Sequence, residues 1–192
     1  MFAYLQGVLQ YKSPSLIHLD VNGVGYELNI TLQTFSKIQH AEACRLYTHL
    51  HIREDAWTIY GFADETERDT FRKLIAINGV GAGTARIILS SLTPQELEQA
   101  IFSEDIKVLE KVKGIGAKTA QRIILELKGK LALPKTSSEI IAGVHNTVKD
   151  DALIALVNLG IGKAIAEAAI KKIPNSQELT VEELIKQALR AL

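Results

Sequence analysis

The sequence has little of what disulfide-linked, secreted or membrane proteins need. Cys44 is the single cysteine among 192 residues, which excludes an internal disulfide and a cysteine metal cluster and suits a reducing compartment. The start, Met1 to Tyr4, lacks the basic segment and apolar core of a signal peptide. No apolar run approaches the roughly 20 residues that span a membrane. We therefore expect a soluble, cytoplasmic protein without a membrane partner.

The chain also lacks an overall excess of either charge. It carries 22 basic and 22 acidic side chains, so the net charge gives no sign of a nucleic-acid partner. The charge is unevenly spread, however. Residues 107–130 hold seven basic side chains and two acidic ones. Such a local excess is typical of a surface that binds phosphates.

Sequence motifs of catalysis are missing as well. There is no nucleophile elbow and no phosphate loop of the Gly-Lys-Ser/Thr kind. His49 and His51 alternate onto one strand face, but no third ligand accompanies them. We therefore expect no catalytic residue, no metal and no cofactor.

One pattern occurs twice, at 78–85 and again 35 residues later at 113–120. Each copy predicts a helix, a tight Gly-apolar-Gly turn and a second helix. The glycines let the backbone turn sharply, and the exposed N–H groups at the positive end of the following helix form an anion site. The apolar residue between the glycines anchors the turn in the core. One copy alone could be an ordinary helix cap, but two in register resemble the helix-hairpin-helix module, which binds nucleic-acid phosphates without reading sequence.

The candidate phosphate-binding residues belong to the two turns and to the helices that follow them. They are Gly79, Val80, Gly81, Gly83, Thr84, Arg86, Lys113, Gly114, Ile115, Gly116, Ala117, Lys118, Thr119 and Arg122.

The first 62 residues favour strands. β-Branched and aromatic residues predict strands at 2–11, 15–21, 24–30, 45–52 and 57–62. Asn22-Gly23 is a strong signal for a two-residue hairpin between two of them. Five short strands in about sixty residues predict a small closed barrel of the OB type. That fold alone is weak evidence of function.

The order of these parts resembles the RuvA family, the DNA-binding subunits of bacterial Holliday-junction branch-migration complexes. The likeness is dense over residues 1–131 and looser afterwards. It rests on five segments, namely 21–27, 53–56, 60–62, 78–81 and 114–116.

The resemblance implies a non-catalytic scaffold for homologous recombination and DNA repair, including the SOS response to DNA damage. A homotetramer, or two tetramers facing each other, would hold a four-way junction open and square on a basic face. The RuvB motor would then draw DNA through opposite arms using ATP, and the RuvC resolvase is a further candidate partner.

The resemblance also assigns a role to Glu54 and Asp55. Two carboxylates at a hairpin tip are usually a solvated turn, but in the family they form an acidic pin near the junction centre. A carboxylate about 4 Å from a phosphate is repelled by roughly 1 kcal/mol in water. Family members commonly carry lysines where this chain has Gly83 and Ala117, so we expect binding to depend more on the second turn.

The predicted architecture is an α+β multidomain protein. It comprises an OB-fold barrel at 1–62, a tandem helix-hairpin-helix domain at 63–131, a flexible linker at 132–148 and a small three-helix, ubiquitin-associated-like bundle at 149–192. Breaks between the last helices are expected at 160–162 and 174–176.

Residues 159–162 imitate a third hairpin, but their surroundings are charge-neutral, and we interpret them as the turn of the small bundle. In the family this bundle binds RuvB. The candidate contacts are Leu156, Leu159, Ile161 and Leu189, each of which could equally be bundle core.

The main rival is an enzyme, a helix-hairpin-helix DNA glycosylase or nuclease. It would need a base-flipping pocket with a catalytic Lys or Asp, or a carboxylate metal site. No such arrangement is apparent in the sequence, although Lys128 and Glu126 leave the question open. A plain protein-interaction adaptor is disfavoured by the paired turns.

Overall fold

The computed structural model describes residues 1–128, 148–173 and 179–191. The chain divides into two compact units, Met1–Leu133 and Pro134–Leu192, and each is described by itself. The predicted linker lies outside the described residues except for Val148, and so does the predicted break at 174–176.

The first unit begins with a closed five-stranded barrel, which confirms the predicted OB-like fold. Its strands are β1 (Tyr4–Lys12), β2 (Leu16–Val21), β3 (Val24–Ile30), β4 (Ala43–Ile52) and β5 (Trp57–Phe62). The order around the barrel is β1-β2-β3-β5-β4, and the parallel β3–β5 pairing is part of the closed ring.

The hairpin between β2 and β3 forms where the sequence predicts it. Asn22 and Gly23 both have positive φ, 52° and 86°, as a two-residue hairpin turn of this kind requires. Val21 and Val24 face each other across the turn.

A short helix, α1 (Leu32–Ile38), was not predicted. Thr31 forms its N-cap, where its hydroxyl accepts a hydrogen bond from the Thr34 amide at 3.0 Å. This helix connects β3 to β4, and its Ile38 joins the barrel core.

Five helices follow among the described residues of the first unit, namely the two helix-turn-helix pairs that the repeat predicts and one helix between them. They are α2 (Glu65–Ile75), α3 (Ala82–Ser91), α4 (Pro94–Phe102), α5 (Ile106–Glu110) and α6 (Ala117–Lys128). Their core also contains Tyr60 and Phe62 of β5, which pack against Phe71 of α2. Barrel and helices therefore share apolar packing.

A buried carboxylate also joins the barrel to the helices. Glu67 of α2 is 1% exposed, and the hydroxyls of Thr31 and Thr34 donate to its two oxygens. The Thr34 hydroxyl in turn accepts from the Ala63 amide at 2.9 Å. Each threonine hydroxyl is thus both donor and acceptor, which satisfies the buried network.

The Glu67 carboxyl should give the fold a pH dependence. Burial raises its pKa, against the opposing effects of the two threonine hydrogen bonds and Lys37. The folded state therefore holds the proton more tightly than the unfolded chain. Its stabilising contribution is complete below the ordinary carboxyl pKa and declines as pH rises through the raised value.

The Glu67→Gln variant should lack this component. We expect the difference in unfolding free energy, wild type minus variant, to fall with rising pH by about 1.4 kcal/mol for each pH unit by which the pKa is raised. Urea unfolding at several pH values measures it. If this free-energy difference is flat or rises between the ordinary carboxyl pKa and the raised pKa of Glu67, the carboxyl does not retain its proton in the folded state.

The second unit contains three described helices, α7 (Val148–Asn158), α8 (Lys163–Lys171) and α9 (Val181–Arg190). This confirms the predicted small helical bundle. Its core includes Ala152, Leu156, Ala166 and Leu184. A capping box between Thr180 and Glu183 begins α9. No helix in the described ranges has the length and apolar character of a bilayer crossing.

Candidate nucleic-acid interface

The two Gly-apolar-Gly turns have the same backbone hydrogen bonds. In the first, the Val80 amide donates to the Ile77 carbonyl at 3.0 Å. In the second, the Ile115 amide donates to the Val112 carbonyl, also at 3.0 Å. All four side chains are buried, so each turn is anchored to the shared helical core.

The first glycine of each turn is needed for its backbone angle. Gly79 has φ +89° and Gly114 has φ +87°, a region that other residues rarely adopt. Gly81, Gly83 and Gly116 serve a different purpose. A Cβ atom on any of the three would meet no other atom within 4 Å, so this side of each turn is open.

The first amides of the helix after each turn have no carbonyl of that helix to donate to. The hydrogen bonds of α3 begin with Ala85 N to Gly81 O at 2.9 Å, and those of α6 include the equivalent Ala120 N to Gly116 O at 2.9 Å. Amides in the preceding turn lie ahead of the helical ladder. With the helix dipole, such amides can accept an anion on the open glycine side.

Arg122 brings the two turns together. This α6 residue donates from Nη1 to the Asn78 carbonyl in the first turn at 3.1 Å. A Cβ atom on Gly79 would lie 3.9 Å from the same nitrogen. Arg122 also lies 3.7 Å from the Glu126 carboxylate. The predicted phosphate ligand therefore also links the two turns.

The positive charge lies mainly around the second turn. Lys107, Lys111, Lys113 and Lys118 are exposed, and none of the four makes an ion pair with any other described residue. Four free ammonium groups near one anion site match the charge of a nucleic-acid backbone.

Arg86, predicted to bind phosphate at the first turn, is engaged elsewhere. Its Nη1 donates to Asn29 Oδ1 at 2.6 Å and to the Ser15 carbonyl at 3.2 Å, both in the barrel. Part of its guanidinium therefore fixes α3 to the barrel. Thr84, which is partly buried, and the open Gly83 remain beside the first turn.

Lys128 and Glu126, which kept the enzyme alternative open, both have other partners. The Lys128 ammonium pairs with Glu104, and Glu126 lies beside Arg122. His49 and His51 have ring centroids 6.3 Å apart, and the His49 ring is tilted against Phe71 at 5.4 Å between centroids, with its buried Nδ1 unpaired among the described residues. Within the described ranges, no group of three or more His, Cys, Asp or Glu side chains could hold a metal ion.

The β4–β5 hairpin carries the two carboxylates at its end. The Arg53 amide donates to the Ala56 carbonyl at 2.9 Å and closes the turn around Glu54 and Asp55. We call residues 52–57 the β4–β5 tip, and all six are exposed. β1 pairs with β4 only as far as Tyr47, so the hairpin continues beyond that neighbour.

The candidate partner contacts on the second unit separate into core and surface. Leu156 is fully buried, which favours the alternative that its side chain belongs to the core of the bundle. Leu159 and Leu189 are 65% and 45% exposed, and Ile161 packs partly against the core. The sequence reasoning missed three exposed apolar side chains, Ile154, Val157 and Ile165.

The turn at 159–162 differs from the two hairpins. The Ile161 amide donates to the Leu156 carbonyl, five residues back, whereas the hairpin amides reach back three. Ile161 is also less buried than Val80 or Ile115. These differences agree with its interpretation as the turn of the small bundle.

Three family models match the chain in succession. Residues 1–61 match the RuvA N terminal domain, and residues 71–130 match a SAM-like helix-hairpin-helix tandem. Residues 147–192 match the RuvA C-terminal domain.

Three relatives match the chain over nearly their whole length. The proteins from Christiangramia forsetii and Cytophaga hutchinsonii are 47% and 45% identical, with at least 99% of both chains covered in each case. The protein from Chromobacterium violaceum is 44% identical over 100% of this chain and 98% of its own length. All three are named Holliday junction branch migration complex subunit RuvA. With both its barrel and its paired hairpins, the chain belongs to the RuvA family of Holliday junction branch migration complex subunits.

Proposed function

We propose that the chain binds four-way DNA junctions through its paired turns and holds them open for branch migration. The observation that carries this proposal is the arrangement of the two turns, which have the same backbone hydrogen bonds and are linked by Arg122. Two anion sites at a fixed separation suit successive phosphates of a nucleic-acid backbone.

DNA binding is sequence-independent, and the second turn contributes more to it than the first. Backbone amides contact phosphates and do not read base edges, so binding falls steeply with salt and depends little on sequence. The free lysines lie around the second turn, and Gly83 and Ala117 supply no charge. The first turn therefore contributes amide contacts with less electrostatic support.

The β4–β5 tip supplies selectivity. Glu54 and Asp55 repel phosphates that approach closely, while the open centre of a junction has room for the projecting hairpin. Four tips, one from each chain of a homotetramer, keep the crossover open and guide the strands apart. This function needs no catalysis.

The remaining parts connect the scaffold to its partners. The domains are proposed at 1–62, 63–131 and 149–192, with a linker at 132–148. The last domain recruits the RuvB motor through Leu159 and Leu189, with Ile161 at the edge of the core. RuvB uses ATP, so this chain needs no cofactor, and RuvC can act on the junction held by a single tetramer. A second tetramer would cover the opposite face.

Neutralising the tip tests the proposal. Glu54→Gln with Asp55→Asn removes two charges and keeps the side-chain shapes. We expect tighter binding to both DNA forms, with a larger gain for linear duplex. That gain should be about thirtyfold, because about 1 kcal/mol of repulsion per carboxylate, about 2 kcal/mol for the pair, no longer acts on phosphates near the tip. Gel shifts with a four-way junction and a matched duplex at low salt measure both affinities.

The matched control is Glu42→Gln with Glu98→Gln, which removes two carboxylates away from the tip, one just before β4 and one on α4. It should not change the preference of the protein for junctions. If the tip variant binds both DNA forms with wild-type affinity, Glu54 and Asp55 form only a solvated turn. If wild-type protein shows no preference for junctions, the proposed function itself is wrong.

A further inference from the structure

The β4–β5 tip carries an aromatic side chain for which the proposed function has no use. Trp57 is 77% exposed, and its cross-strand partner Ile52 is 60% exposed. Among the described residues, no aromatic or cation–π contact involves Trp57. An indole left in water at a charged hairpin tip indicates a surface that is covered when the protein acts.

The strand register explains why the chain itself does not cover Trp57. Successive side chains alternate, so Trp57 lies on the same face of β5 as Ile59, which packs against the barrel core. The pairing of β5 with β3 begins at Ile59, opposite Leu28. Trp57 is two residues before that point. It therefore lies on the inward-facing side of the strand but beyond the neighbour that would shelter it.

The charges beside Trp57 select what can cover it. Glu54 and Asp55 are exposed at the same tip and repel phosphates. The nearby Arg53 donates from Nε to His51 Nε2 at 3.1 Å, which holds its guanidinium back along β4. A DNA backbone is thus a poor partner for this surface.

A nucleobase is a good partner for the same surface. It is flat and uncharged, and it stacks on an indole whatever its identity. The exocyclic amines of adenine and cytosine are donors, and the neighbouring carboxylates are acceptors. In a linear duplex the flat faces of the bases are stacked on one another. At a crossover, where strands exchange partners, a base face becomes accessible.

We propose that Trp57, supported by Ile52, stacks on a base that is unpaired at the junction crossover. The inference rests on the proposed function, which brings the β4–β5 tip to the crossover. The carboxylates move the phosphates apart, and Trp57 holds a separated base until it pairs with its new strand. The tip would then act on bases as well as on backbones.

Trp57 reports on its own environment because it is the single tryptophan of the chain. A nucleobase stacked on an indole quenches its fluorescence. We expect emission of the full-length protein to be quenched by a saturating four-way junction and unchanged by a saturating linear duplex. An iodide titration should show that the junction also shields the indole from solvent.

Two substitutions separate stacking from hairpin stability. Trp57→Phe keeps an aromatic face and should bind junctions within about twofold of wild type. Trp57→Val keeps a β-branched cross-strand partner for Ile52 but has no face for stacking. It should bind junctions about tenfold more weakly, with unchanged binding to duplex. Equal thermal unfolding of the two variants shows that the hairpin is intact.

The outcomes distinguish this inference from the function on which it rests. If the protein prefers junctions, but its tryptophan is not quenched and the Val variant binds junctions with wild-type affinity, the stacking alone is overturned. A protein without junction preference whose tryptophan is quenched by single-stranded oligonucleotide overturns the proposed function alone. Loss of both signals overturns both. Equal weakening of the Phe and Val variants assigns Trp57 to hairpin structure and also overturns the stacking.

Discussion

Replacing Gly114 and Gly116 by valine should reduce junction affinity about 100-fold. In the proposed function the second turn presents backbone amides to phosphate, and the new side chains would fill its open glycine side. Loss of two charge-assisted hydrogen bonds, each about 1.5 kcal/mol, corresponds to that factor. The same change at Gly79 and Gly81 should reduce affinity about tenfold, since fewer free cations surround the first turn. Fluorescence anisotropy at fixed salt measures both.

The controls separate a blocked phosphate site from a strained backbone. Gly160 has φ +91°, close to Gly114, but lies in the second unit, so Gly160→Val should strain the chain without changing junction affinity. Gly116→Val alone adds a side chain in open space where φ is not positive, and it should still weaken binding. Unchanged affinity of the Gly114/Gly116 variant would refute the assignment of the turns.

Truncation after Ala132 should abolish stimulation of RuvB-driven branch migration and leave junction binding intact. The described core residues of the barrel and of the paired hairpins lie before residue 129, and the bundle has a core of its own. The first unit should therefore fold, assemble and bind junctions with wild-type affinity. Migration assays with added RuvB and ATP measure the loss.

A matched pair of substitutions tests the same surface in the full-length chain. Leu159→Ser changes an exposed side chain and should weaken stimulation at unchanged unfolding temperature. Leu156→Ala removes a buried side chain and should destabilise the bundle by about 2–5 kcal/mol. Full stimulation by the truncated protein would show that the motor is recruited elsewhere.

Local sequence signals predicted the elements that local interactions determine. The five strands and the Asn22-Gly23 hairpin follow from alternation and turn preference. The two turns follow from a repeat in which the first glycine of each copy, Gly79 or Gly114, adopts a positive φ. Helix α1 was missed although Leu32, Phe35 and Ile38 recur at helical spacing and Thr31 is a readable N-cap, because a pattern of seven residues is a short signal beside the strands that flank it.

Contacts between distant segments could not be predicted in this way. Nothing local to Arg86 indicates that it donates to Asn29, 57 residues earlier. Nothing local to Glu67 indicates that two threonines of another element satisfy it. The sequence could not decide between core and partner contact for Leu156, because α7 has apolar residues on both its buried and its exposed sides.

The buried Glu67 network and the packing of Tyr60 and Phe62 on α2 have a mechanical consequence. They join the barrel, which carries the tip, to the helices that carry the proposed phosphate-binding turns, within one compact unit. The spacing between tip and turns is therefore a property of the protein and acts as a template. The DNA must therefore deform to fit the protein. Junction arms that bend easily near the crossover should fit this template at a lower free-energy cost.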